Sequence, residues 1–199
     1  MRNIFKPRTP AIIRPDDGVY VGRRRTCDVA FTYRMGAGFA GDLNRSHPFS
    51  IEPCLIDASA PPLGYGLAVV ADATSNGVRQ MAAGDGALLD VYGVTVRPYP
   101  TQQQSGGMSS AFGSIAPPIT GVIDVLKQGY IMVPVVVGAT AAAKGGPVFV
   151  WIAASGGGHL QGGFETTATG GSTIELPTPR CSFNGPPDAS GIGEIIFHD

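Results

Sequence analysis

Glycine and proline together supply 46 of the 199 residues, and that punctuation constrains this chain more than any other feature. Glycine weakens helices by its backbone entropy, and proline removes a donor and clashes with the preceding turn. A share of about a quarter approaches low-complexity composition. Here, however, short runs of Val, Ile, Leu and Phe recur between the breakers, for example Leu67-Ala68-Val69-Val70 and Pro147-Val148-Phe149-Val150-Trp151-Ile152. Such runs can bury a core, so the composition indicates a folded chain with many turns, not a disordered one.

The runs read as strands. Candidates are Gly18 to Gly22, Cys27 to Tyr33, Ile51 to Ile56, Leu67 to Val70, Val78 to Met81 and Leu88 to Val96. Val122 to Leu126, Tyr130 to Val137, Pro147 to Ile152, His159 to Phe164, Ser172 to Leu176, Cys181 to Phe183 and Ile192 to Phe197 follow. Ser75-Asn76-Gly77 marks a tight hairpin turn, because Asn-Gly accepts positive φ. Leu67 to Arg79 and Val148 to Leu160 resemble each other as two similar hairpins. Residues 79 to 90 are the best helix candidate, and a weak one. Strands about 8 to 15 residues apart, bounded by glycine and proline, predict an all-β fold, a sandwich or a barrel. The polar stretch at about 101 to 118 reads as a flexible surface loop.

Charge is sparse, at 15% of residues, but it is not evenly spread. Seven of the 14 Lys and Arg lie within the first 25 residues (Arg2, Lys6, Arg8, Arg14, Arg23, Arg24, Arg25), opposed only by Asp16 and Asp17. Pro7, Pro10 and Pro15 keep residues 1–17 extended. The expected organisation is thus an extended basic N-terminal arm, 1–17, on a single β-rich domain, 18–199. The prolines also interrupt any apolar h-region, so neither a signal peptide nor a membrane span is expected. Arg23-Arg24-Arg25 has few aromatic neighbours and the whole chain carries −1, which argues against direct nucleic-acid binding. Arginine forms bidentate contacts with carboxylates, so Arg8, Arg14, Arg23, Arg24 and Arg25 are candidate contacts with an acidic protein surface. A body with so little charge is poorly defended against association, which suits a protein covered in an assembly.

Motifs that carry chemistry are weak. Gly36-Ala37-Gly38-Phe39-Ala40-Gly41 matches dinucleotide spacing, but Pro48 forbids the helix that must follow. Ala153-Ala154-Ser155-Gly156-Gly157 lacks the first glycine of a nucleophile elbow. A hydrolase built on Ser155 and His159 is the enzymatic alternative. Cys27, Cys54 and Cys181 are far apart and form no CxxC pair, so buried reduced thiols are expected. No metal-ligand spacing involves His47, His159 or His198, and no cofactor is expected. A carbohydrate-binding or tail module is a further alternative, but Trp151, the one tryptophan, lies in an apolar strand and is expected in the core.

Several segments in order resemble the capsid cement, or head-decoration, proteins of tailed bacteriophages. These are Phe39 to Pro48 continuing to Ile51-Glu52-Pro53-Cys54-Leu55-Ile56-Asp57, and Asp90 to Thr101. Val125 to Val133, Lys144 to Trp151, Gly162 to Glu165 and Asp188 to Phe197 complete the set. The resemblance covers Phe39 to Asp199, and leaves out the basic arm. It implies a β-sandwich of jelly-roll type, bound to the outer surface of the major capsid protein shell as a small homo-oligomer, dimer or trimer. It also implies a structural protein with no active site, made in the host cytoplasm and carried on the virion.

Overall fold

The computed structural model describes residues 38–43, 48–85, 91–98, 117–138, 140–178 and 180–198. The basic arm, the strand candidates at 18–22 and 27–33, and most of the 101–118 loop lie outside the described residues. Among the described residues the ordered elements are all strands. They are β1 (Ser50–Leu55), β2 (Ala68–Asp72), β3 (Gly77–Gln80), β4 (Val91–Thr95) and β5 (Val122–Val136). After them come β6 (Val148–Trp151), β7 (Phe164–Glu165), β8 (Thr173–Leu176), β9 (Cys181–Phe183) and β10 (Ile192–His198). The all-β class expected from glycine and proline punctuation is borne out.

Strand β5 organises the rest. Two separate runs were expected at 122–126 and 130–137, but the chain continues through Gly129 as one strand of 15 residues. Its first half pairs antiparallel with β1 and β4, and its second half with β10. Its last residues pair in parallel with β7. The β1 register skips Lys127, since Ser50 faces Gln128 while Ile51 faces Leu126. A bulge of this kind shifts the alternation of side chains by one. Leu126 and then Ile131, Val133 and Val135 therefore enter the same large core, despite their opposite parity.

Hydrogen bonding also returns on itself. From β1 it passes to β5, β4, β2 and β3, and Ile56, immediately after β1, bridges Val78 of β3. This ring surrounds a second, smaller core of Ile56, Val69, Val78, Ile123 and Val125. Where β4 pairs with β5, position 93 must be glycine: an added Cβ would lie 2.5 Å from the Leu126 carbonyl oxygen. The large core continues through β6, β8, β9 and β10, with Phe164, Phe183 and Phe197 essentially inaccessible to water.

Three local expectations change. The β2–β3 connection is not a two-residue turn but Ala73–Asn76, with the Asp72 carboxylate accepting N–H bonds from Thr74 (3.3 Å) and Ser75 (3.0 Å). Asn76 carries the positive φ, 53°. The weak helix candidate at 79–90 starts as the end of β3 and turns at 81–85, and its remainder lies outside the described residues. The expected return strand from His159 shrinks to Phe164–Glu165, because 152–163 is a loop. The second hairpin of the internal echo forms with a longer connection: β6 pairs antiparallel with β7 over two residues across 152–163, where Gly156 bridges His159, and β6 also pairs with β8 over four.

Candidate interaction surfaces

At the start of β5 the β1–β5 pair runs beyond the core. Leu55 faces Val122 directly, and partners in an antiparallel pair present their side chains to one face. Both are 57% exposed, and Ile119, in the lead-in to β5, is 70% exposed. Isolated exposed apolar residues are ordinary on protein surfaces, whereas large contiguous apolar patches accompany contact faces. The backbone beneath is held by the Ile56 N–H bond to the Gly121 carbonyl, 2.9 Å. Two positions along, Pro53 faces Asp124. Proline has no N–H to offer, which blunts β1 as a template for an added strand. This surface presents side chains more readily than backbone.

Beside it lies an open concavity of about 420 Å³ between β1 and the β2–β3 hairpin, lined by Glu52, Cys54, Asp72, Gly77, Val78 and Tyr92 among others. Glu52 accepts the Tyr92 hydroxyl at 2.7 Å, and this bond pushes the phenol well above its ordinary range. The Lys127 ammonium sits 3.5 Å from the centre of the Tyr92 ring and donates to the Tyr92 carbonyl at 2.7 Å. Burial, and then the Glu52 charge, push the Cys54 thiol up. A raised thiol holds less thiolate, the form that reacts. Cys54 is half-buried and Cys181 fully buried, both as free thiols, while Cys27 lies outside the described residues.

Ser155 and His159, the residues of the enzymatic alternative, each have a partner in or beside the 152–163 loop. The Ser155 hydroxyl accepts the Gln161 N–H at 2.9 Å, closing the 152–163 loop. His159 pairs through Nδ1 with Glu165 of β7, a carboxylate almost wholly buried. The imidazole also stacks on Trp151, with centroids 4.0 Å apart and planes 14° from parallel. Trp151 is thus half-buried at the rim, not in the core, and its Nε1 donates to the Ala154 carbonyl at 3.2 Å. Its ring serves His159 instead of standing open as a sugar platform. Among the described residues no cluster of three His, Cys, Asp or Glu could hold a metal ion.

Arg8, Arg14, Arg23, Arg24 and Arg25 all lie outside the described residues. Sequence reasoning missed Leu55, Val122 and Ile119. The strands carrying Leu55 and Val122 were legible, but which of their faces stays uncovered depends on where the core ends.

A search of curated proteins finds no match to this chain. Among solved structures, a chain from the capsid of Myoviridae phage XM1 superimposes with a TM-score of 0.58, at 16% identity, over 83% of this chain and 92% of that one. That likeness is one of fold. A family model described as XM1 gp53 minor capsid protein matches residues 29–197. This match spans β1 to β10 almost to its last residue, so the chain belongs to the XM1 gp53 minor capsid protein family, a family of phage capsid-associated proteins.

Proposed function

We propose that the protein decorates and stabilises an icosahedral phage head, binding from outside across neighbouring major capsid protein subunits. The family match over residues 29–197 carries this reading. Two physical features support it. A low-charge body with exposed Leu55, Val122 and Ile119 gains by being covered. Extended, proline-stiffened arms lose less conformational freedom on docking than flexible ones. In this reading Arg8, Arg14, Arg23, Arg24 and Arg25 meet carboxylates on the capsid, and repeated copies on a lattice turn weak single contacts into firm retention. The protein acts as a dimer or trimer, binds no nucleic acid directly and performs no catalysis.

Purified protein mixed with shells of its cognate major capsid protein should co-sediment, saturate at a fixed ratio to the coat subunit, and raise the temperature at which the shells open. Protein left in the supernatant at every ratio overturns the proposal.

A further inference from the structure

The β2–β3 turn contains a second kind of site. The chain has two Asn-Gly dipeptides, Asn76-Gly77 and Asn184-Gly185, and the fold treats them in opposite ways. We infer that Asn76 is a site of spontaneous covalent modification, converting to aspartate and isoaspartate through its Gly77 neighbour, and that Asn184 is protected.

Both residues of the first dipeptide are fixed by structure. Asn76 holds φ at 53°, a region that asparagine tolerates better than most side chains. At Gly77 a Cβ would stand 2.8 Å from the Leu55 carbonyl oxygen and 3.3 Å from the Asp57 nitrogen, so only glycine fits against the end of β1. The reactive dipeptide is therefore a by-product of closing the small ring of strands. Asn76 is exposed at the hairpin tip. Gly77 is buried at the terminal Asp72–Gly77 pair of the β2–β3 ladder, so its nitrogen comes free through local opening at the hairpin end.

In the reaction that nitrogen attacks the Asn76 side-chain carbonyl carbon. A new C–N bond closes a succinimide ring. The side-chain nitrogen leaves as ammonia, taking the proton that the Gly77 amide gives up. Water then opens the ring at either carbonyl, giving aspartate or, with the backbone rerouted through the side chain, isoaspartate. No catalyst or redox partner is needed. The product carries a new carboxylate at a tip already bearing Asp72.

Asn184 lacks this freedom. Its side-chain amide donates to the Glu194 carboxylate, and its backbone N–H donates to the Glu194 carbonyl at 2.9 Å. Two bonds to the same residue of β10 hold it away from its glycine neighbour.

The test is to incubate the whole protein at mildly alkaline pH and follow both peptides by mass spectrometry with isoaspartate-specific labelling. The Asn76 peptide should gain about 1 Da. It should convert at least about tenfold faster than the Asn184 peptide, the ratio set by the difference in local opening. Asn76→Gly, which keeps the positive φ, should abolish the first conversion and leave the fold and melting temperature in place. A free peptide covering residues 72–80 serves as reference. If the peptide converts while Asn76 in the protein does not, the hairpin protects the site and the inference fails. It fails equally if neither converts, or if Asn184 keeps pace with Asn76.

Discussion

Arg79 and Asp85 show what a single pair contributes at the residue scale. The guanidinium donates to both carboxylate oxygens, at 2.7 and 2.6 Å, and the same carboxylate accepts the Ala82 N–H at 2.7 Å. The Arg79 bonds, with the Ala82 N–H bond as a further contribution, hold Asp85 below the usual carboxylate range, against the opposing effect of burial. A depressed folded value means that its stabilisation is complete above the unfolded value, about 3.9, and is lost as pH falls through the lower folded one. Asp85→Asn should cost about 1–2 kcal/mol near neutral pH, as expected for a charge-assisted pair at a partly exposed site. It should also flatten the fall in melting temperature between about pH 4 and the folded value. Thermal melts of both proteins across that window check the claim, and identical slopes would refute it. Nothing in the sequence pairs residue 79 with residue 85, because the link depends on the tight turn at 81–85 that replaced a helical expectation.

At the element scale the argument centres on β5. Short β-branched runs made most strands legible: Ile51 to Ile56, Leu67 to Val70, Pro147 to Ile152 and Ile192 to Phe197 all fall within a residue or two of observed strands or overlap them closely. The fusion of two runs into one 15-residue strand was not legible, since Gly129 reads locally as a break. What joins them is pairing with β10, which continues without a shift from Gln128 to Pro134. Pairing partners are set by tertiary contact, and period and composition say little about them. The close pairing of β4 with β5 gives a direct check. Gly93→Ala would push a Cβ to 2.5 Å from both the Leu126 carbonyl oxygen and the Val125 Cγ1. A loss of about 1–3 kcal/mol is expected, the range for overpacked sites. Gly84→Ala, exposed and with nothing within 4 Å of the added Cβ, should change stability little. Chemical denaturation of the two variants side by side decides it: equal stabilities would mean that β4 can shift away from β5.

The whole molecule divides its charge unevenly, about +5 in residues 1–25 against about −6 in the remainder. That asymmetry was legible from sequence and belongs to the proposed capsid contact, as did the family resemblance later matched over residues 29–197. The exposed Leu55 and Val122 were not legible, because coverage is a property of the assembled sheet. Contacts between exposed charges fade beyond about 10 Å at 0.1 M salt. Replacing Arg23, Arg24 and Arg25 together with alanine should weaken retention on shells about tenfold at low salt and flatten its salt dependence, each lost contact adding its share. Pelleting across a salt series measures both, and identical retention at every ionic strength would remove these arginines from the interface.

The place of β10 beside β5 has a consequence for biosynthesis. The strand that pairs with the second half of β5 is synthesised after all the other described strands, ending at His198. Pairing over such long sequence separations must wait for the far end of the polypeptide. A nascent chain halted after Phe183 would hold every earlier strand yet leave Tyr130 to Pro134 without its β10 neighbour. Without β10 that stretch of β5 would keep its backbone N–H and C=O groups unpaired on one side, an open edge that invites pairing with another polypeptide.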